Sequence, residues 1–211
     1  MEFNKKRIFA HRGLWHSLEN MNSLESLQLA ANYGFSIETD IRTVINNVAI
    51  SHDQPDNEYV DANYLFSIDT TIALNLKSDG LLNYFIPHIE WLQNTNSFFF
   101  DGSIPELYKF SKLNLPIAQR LSEFEKQIPW QTGYIWLDSF ESDWWLANET
   151  IKKLSFNNYV VVVSPEIHGR SNGPAWEVII NEINSGNINL AICTDQPKEF
   201  LQALGQSNEI I

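Results

Sequence analysis

The sequence predicts a protein of the α/β class, folded as one compact (β/α)8 barrel over residues 1–211. Eight short runs of apolar or β-branched residues recur along the chain, and amphipathic segments lie between most of them. This alternation is typical of parallel strands joined by right-handed crossovers. Polar, reactive residues follow many of these runs, which favours a barrel with a site at the carboxyl ends of its strands. An open doubly wound sheet is the alternative, since 211 residues is short for a barrel.

The eight predicted strands are three to six residues long. They are Arg7–Ala10, Ser36–Ile41, Thr71–Leu76, Ser97–Phe100, Ile117–Gln119, Gly133–Leu137, Tyr159–Val163 and Ile188–Cys193. A short hairpin is also predicted, in which Val48–Ile50 folds back on the second strand across Asn46 and Asn47.

The predicted helices lie between these strands. Asn22 followed by Glu25 resembles a capping box that opens a helix to Asn32, and Gly34 is its expected C-terminal stop. Later helices have apolar residues near a period of 3.6. They are predicted over Leu81–Gln93, Ile104–Lys112, Asp143–Leu154 and Pro174–Asn184.

Composition limits the class of partner. The net charge of −12 and pI near 4.7 argue against a nucleic-acid backbone as ligand, because that would need a basic stripe. The sequence has no apolar run of the ~20 residues that would span a membrane. It also has no apolar segment typical of a secretory signal. A single cysteine, Cys193, fits a reducing compartment, and we expect a cytoplasmic protein of undetermined oligomeric state.

Two histidines, an arginine and two acids near the N-terminus are the strongest functional signal. Each lies at or near the end of a strand-like run: His11 and Arg12 after the first, Glu38 and Asp40 in the second, and His52 after the hairpin. Further candidates to line the site or contact substrate follow later strands. They are Asn75, Lys77, Asp101, Trp136, Asp138, Glu166 and His168.

These residue types suit the hydrolysis of a phosphate diester. Glu38 and Asp40 are two residues apart on a strand and so point to one face, where carboxylates suit Mg²⁺ or Ca²⁺. Of the two histidines, one can take a proton from the nucleophile while the other gives one to the leaving oxygen. Arg12 and Lys77 can bind the phosphate and stabilise its transition-state charge.

Five motifs in sequence order resemble the glycerophosphodiester phosphodiesterase family, whose members are TIM barrels among the phosphatidylinositol-phospholipase-like phosphodiesterases. The motifs are His11-Arg12-Gly13, Glu19-Asn20, Glu38-Thr39-Asp40, Ser51-His52-Asp53 and Thr194-Asp195-Gln196-Pro197. The resemblance implies a metal-dependent enzyme of lipid metabolism that hydrolyses a glycerophosphodiester, or a related small phosphodiester, to an alcohol and sn-glycerol 3-phosphate. It implies His11 and His52 as the general acid/base pair, Arg12 and Lys77 as phosphate ligands, and one Mg²⁺ or Ca²⁺ on Glu38 and Asp40.

One position departs from the family pattern. Members usually carry a third acidic metal ligand two residues before the strand-three lysine, and this chain has Asn75 there. An amide oxygen can still ligate these cations but brings no charge. Two alternatives therefore stay open: a barrel that binds phosphorylated ligands without turnover, and a lyase that stops at a cyclic phosphate.

Overall fold

The structure is a computed structural model that describes residues 4–56, 58–126, 132–147 and 149–205. Strands and helices alternate along it. The strands are β1 (Ile8–His11), β2 (Ser36–Val44), β3 (Asn47–Ile50), β4 (Val60–Asp61), β5 (Ile72–Leu76), β6 (Phe98–Phe100), β7 (Ala118–Leu121), β8 (Tyr134–Leu137), β9 (Tyr159–Val163) and β10 (Leu190–Thr194). The helices are α1 (Leu24–Asn32), α2 (Leu82–Phe85), α3 (Ile89–Thr95), α4 (Ile104–Lys112), α5 (Thr150–Ser155), α6 (Gly173–Asn184) and α7 (Pro197–Ala203).

Eight parallel strands form the wall of a barrel, which confirms the predicted fold class. From β1 the pairing runs one way through β2, β5 and β6, and the other way through β10, β9, β8 and β7. The two arms meet where Phe99 of β6 forms a single parallel bridge with Ile117, just before β7. The chain therefore has the strand order of a closed barrel and not that of an open doubly wound sheet.

Side chains alternate between the inside and the outside of this wall, as the pleat requires. The inner cluster includes Phe9, Phe98, Trp136 and Cys193, all at most 4% exposed. Outward-facing strand residues pack in two further clusters against the helices. Because side chains fill the interior, a ligand has no room inside the barrel. In this fold, ligands usually bind to groups at the carboxyl ends of the strands.

The predicted hairpin is confirmed. β2 and β3 are antiparallel, with Ile41 opposite Ile50 and Val44 opposite Asn47, and Asn46 takes the left-handed conformation at the turn. The lower part of β2 pairs with β1 and its upper part with β3, so the hairpin extends the wall beyond the end of β1.

The predicted capping box of α1 is wrong. Ser23 is the N-cap, and its side chain accepts the backbone N–H of Ser26 at 3.1 Å. Asn22 has a φ of 59° and turns its side chain toward β2 instead. The expected stop is confirmed, since Gly34 has a φ of 82° and donates its N–H to Ala31.

Two predicted helices are interrupted, whereas α4 has the predicted bounds. In Leu81–Gln93, Pro87 lies in a 3-10 turn between α2 and α3, because proline has no N–H to continue the first helix. In Asp143–Leu154, a turn at Trp144–Leu146 precedes the shorter α5. Trp144 donates its indole N–H to the carbonyl of Asp138, which ties this segment to the barrel end.

Candidate active site

The ends of β1, β2 and β5 bring six predicted site residues together. The strand register places His11 beside Glu38, and Asp40 beside Asn75. Two-residue alternation turns all four side chains inward. Arg12 follows β1 and Lys77 follows β5, and both reach Asp40. We call this group of six residues the β1–β5 side of the barrel mouth.

Glu38 is a buried carboxylate, 1% exposed. One oxygen accepts the Asn75 amide N–H at 3.2 Å, and the other lies 3.8 Å from Nε2 of His11. Burial raises the pKa of Glu38 to about 7, and the charge of Asp40 adds to this rise. Glu38 therefore holds its proton to a higher pH than an exposed glutamate does.

Asp40 is fully buried and lies between two cations. Arg12 Nε lies 2.9 Å from one of its oxygens, and Lys77 Nζ lies 3.2 Å from the other. The Asn22 amide donates to the same carboxylate at 2.8 Å. Burial opposes ionisation, but Lys77, Arg12 and Asn22 together lower the pKa of Asp40 below its usual range. Asp40 is thus an anion that holds two cations at the barrel mouth.

His11 is oriented by a second carboxylate. Its Nδ1 lies 2.6 Å from Oδ1 of Asp195, which follows β10. Although burial alone would lower the pKa of His11, the Asp195 hydrogen bond and the charge of Glu38 raise it. The pairing fixes the ring and leaves Nε2 as the nitrogen that faces the site.

The backbone turn after β1 can form because Gly13 has no side chain. Gly13 has a φ of 88°, and a Cβ there would lie 2.7 Å from the carbonyl carbon of Ser26. Arg12 also has a positive φ, 56°, and donates its N–H to the carbonyl of Glu38 at 2.8 Å. This turn positions Arg12 over Asp40.

The donor set fits a hard divalent cation. Glu38 and Asp40 share one face, and the Asn75 side-chain oxygen is buried without a hydrogen-bond partner. Oxygen ligands of this kind suit Mg²⁺ or Ca²⁺. In the described parts of the chain, no group of three His, Cys, Asp or Glu side chains forms a metal site. Any ion here would therefore depend on the Asn75 amide as its third protein ligand.

His52 lies just beyond the hairpin and apart from this cluster of contacts. Its side chain is 45% exposed, and Nδ1 lies 3.0 Å from Asp53, which is 92% exposed. The preceding residue, Ser51, donates its N–H to the Asp40 carbonyl, so the segment is anchored beside the mouth.

The opposite side of the mouth is built from ion pairs between strand ends. Asp101 lies 3.1 Å from Arg120. Asp138 lies 2.8 Å from His168 Nε2. Burial raises the pKa of Asp101 to about 6, and Arg120 and Lys77 limit that rise. We call these four residues, Asp101, Arg120, Asp138 and His168, the β6–β9 side.

The two remaining candidates have different surroundings. Trp136 is 4% exposed and stacks on Phe100 at 4.0 Å inside the barrel. Glu166 accepts the hydroxyls of Ser164 and Thr194 and the N–H of Asp195, so it supports the strand end that orients His11.

Sequence reasoning missed Asn22, Glu123 and Arg170. Asn22 has a signal in the sequence, a polar residue shortly after the first strand, but a residue in that place is equally typical of a helix cap. Glu123 accepts N–H groups of Phe140, Glu141 and Ser142 and so joins the loops after β7 and β8. Arg170 pairs with Asp143 at 2.5 Å. The last two partnerships join distant segments, and no local pattern indicates them.

A solved structure has the same fold. Neither a protein-family model nor a curated protein sequence matches the chain. The crystal structure of glycerophosphodiester phosphodiesterase from Agrobacterium tumefaciens str. C58 matches with a TM-score of 0.65 and 14% identity, over 92% of this chain and 98% of that one. Nearly the whole chain therefore shares the TIM-barrel fold of a glycerophosphodiester phosphodiesterase.

Proposed function

We propose that the protein is a metal-dependent phosphodiesterase that hydrolyses a glycerophosphodiester, or a related small phosphodiester, to an alcohol and sn-glycerol 3-phosphate. One observation carries this proposal. His11, oriented by Asp195, lies beside Glu38 at a mouth where Arg12 and Lys77 flank Asp40. A mouth of this kind offers a proton acceptor and two phosphate-binding cations within one small space.

Arg12 and Lys77 bind the phosphate. Asp40 holds both cations in place, and each side chain is 22% exposed, so donor groups remain for a ligand. Arginine can bind phosphate oxygens with two parallel hydrogen bonds, and lysine adds a point charge. Both interactions strengthen as negative charge develops on the phosphoryl oxygens in the transition state.

His11 accepts the proton of the attacking oxygen through Nε2. The hydrogen bond to Asp195 fixes the ring, and the raised pKa makes the neutral imidazole a stronger base. His52 is the sequence-based candidate for the second member of the histidine pair. The attacking oxygen belongs either to water or to the neighbouring glycerol hydroxyl, which would first give a cyclic phosphate.

One Mg²⁺ or Ca²⁺ would be held by Glu38, Asp40 and Asn75. When bound, such an ion neutralises charge on the phosphate oxygens. The orphaned Asn75 oxygen supports this ligand set. The same residue favours a second candidate function, a barrel that binds phosphorylated ligands without turnover, because two carboxylates hold an ion more weakly than three.

A hydrolysis panel tests the proposal. Purified protein is treated with EDTA, and Mg²⁺, Ca²⁺ or Mn²⁺ is restored before addition of glycerophosphodiesters or bis(p-nitrophenyl) phosphate. We expect metal-restored turnover that His11→Gln abolishes. A folded protein that binds glycerol phosphate but hydrolyses none of these diesters would support the binding protein instead.

A further inference from the structure

A second histidine–carboxylate pair lies on the β6–β9 side of the mouth. His168 Nε2 lies 2.8 Å from Asp138 Oδ1, and the Asp138 side chain is only 7% exposed. An ionised carboxylate only accepts hydrogen bonds, so Nε2 of His168 is the donor. The second ring nitrogen, Nδ1, has no hydrogen-bond partner among the residues that the structure describes.

This pair repeats the arrangement of His11 and Asp195 with the ring nitrogens exchanged. His11 uses Nδ1 to bind its carboxylate and leaves Nε2 toward the site. His168 uses Nε2 and leaves Nδ1. In both, a carboxylate fixes the ring and balances the charge that the ring carries when both nitrogens are protonated.

Both pairs lie at the carboxyl ends of nearby strands. His168 follows β9 and His11 ends β1, and both strands are neighbours of β10. Two strand spacings separate them, about 10 Å along the wall. On β10 between them, Cys193 is in register with Phe9 of β1 and Val163 of β9. Burial and the charges of Glu38, Asp195, Glu166 and Asp138 raise the pKa of its thiol.

The turn that carries His168 is fixed to the strand end that carries Asp195. Glu166 lies in this turn and accepts the Asp195 N–H at 3.3 Å. The Phe140 ring lies 4.9 Å from the His168 ring on the other side. The His168 side chain is still 23% exposed, so a ligand can reach it.

We propose that His168, positioned by Asp138, is a catalytic residue that protonates the leaving alcohol. This inference rests on the proposed phosphodiesterase function. The attacking oxygen bonds to phosphorus and gives its proton to Nε2 of His11. The bond from phosphorus to the alcohol oxygen breaks, its electron pair stays on that oxygen, and the oxygen takes the Nδ1 proton of His168. Exchange with solvent then returns both rings to their starting protonation states.

His52 is the rival for this role, and the two residues differ in how they are held. The partner of His52, Asp53, is 92% exposed, whereas the partner of His168 is buried. A carboxylate in water orients a ring less firmly than a buried one that also accepts a backbone N–H. Asp138 accepts such a bond from Ser139 at 2.8 Å.

The test compares two leaving groups in the same protein samples. p-Nitrophenolate leaves without a proton, whereas an alkyl alcohol needs one. His168→Gln keeps an amide to bind Asp138 but cannot give up a proton. We expect it to lose about 100-fold or more in kcat on an alkyl glycerophosphodiester, and less than about fivefold on bis(p-nitrophenyl) phosphate. The ratio of the two losses is independent of the fraction of folded enzyme.

Equal losses on both substrates would overturn the inference while leaving the proposed function intact. Selective loss of the alkyl substrate in His52→Gln, with His168→Gln near wild type, would do the same and assign the role to His52. A folded wild-type protein that hydrolyses neither substrate would overturn the proposed function, and the inference with it.

Discussion

The two sides of the barrel mouth use their charges differently. On the β1–β5 side, two buried acids lie among the side chains of His11, Arg12 and Lys77, which are 14–22% exposed. On the β6–β9 side, Arg120 pairs with Asp101 and Glu125, and in the loops next to it Arg170 pairs with Asp143. The first side can offer its cations to a phosphate, whereas the second uses its cations to join strand ends and loops. The cations of the two sides thus have different partners, although His168 of the β6–β9 side is also part of the proposed reaction.

The largest expected effect is the loss of turnover in His11→Gln. The change removes the proton acceptor on the β1–β5 side, and we expect kcat to fall about 1000-fold on both aryl and alkyl diesters. The measurement is steady-state kinetics with both substrates, with glycerol phosphate binding by calorimetry as the control. A loss of binding as large as the loss of turnover would contradict a role in proton transfer.

Asp40→Asn should destabilise the fold. The substitution leaves Arg12 and Lys77 without their buried anion, and breaking such a pairing costs about 3 kcal/mol in the free energy of unfolding. Urea denaturation at pH 7 measures this loss, and Asp53→Asn at a 92% exposed position is the matched control. Equal stability of the two variants would show that Asp40 does not organise this side.

Glu123→Gln tests how firmly the loops after β7 and β8 are joined, through the pH dependence of the free energy of unfolding. Burial opposes ionisation, but hydrogen bonds from Ser142, Phe140 and Glu141 N–H groups lower the pKa of Glu123 to about 2. Because the folded-state pKa is depressed, this carboxylate stabilises the fold fully above its ordinary pKa near 4.5, and that stabilisation is lost as pH falls through about 2. We expect the variant to lose about 2 kcal/mol at pH 7.

The measurement is urea denaturation of the wild type and of Glu123→Gln at several pH values from 7 down to 2. The difference in free energy of unfolding should shrink as pH falls below about 4.5. If the difference stays constant over this interval, the carboxylate charge of Glu123 is not its cause.

The smallest expected effect is on metal affinity. Asn75→Asp adds a third carboxylate beside Glu38 and Asp40, and we expect about tenfold tighter Mg²⁺ binding by calorimetry. Asn83→Asp, the same chemical change at an exposed helix position, is the control. Unchanged affinity in Asn75→Asp would place residue 75 away from the ion.

The same contrast explains what could be predicted from the sequence. The strand positions could be predicted because apolar runs are local patterns. Residues of the β1–β5 side could be predicted because strand alternation turns pairs such as Glu38 and Asp40 to one face. Asn22 was misassigned because a side chain that caps a helix and one that supports a buried carboxylate look alike in sequence. The pairing of His168 with Asp138 joins residues 30 positions apart, and only the neighbouring positions of β8 and β9 bring them together.

The most direct test of the central claim is a ³¹P NMR time course of a glycerophosphodiester with the wild-type protein and Mg²⁺. We predict that the diester resonance is replaced by that of glycerol monophosphate, with or without a transient cyclic phosphate, and that His11→Gln leaves the diester unchanged. A diester resonance that persists with the folded wild-type protein, or that disappears equally fast with His11→Gln, would contradict the account.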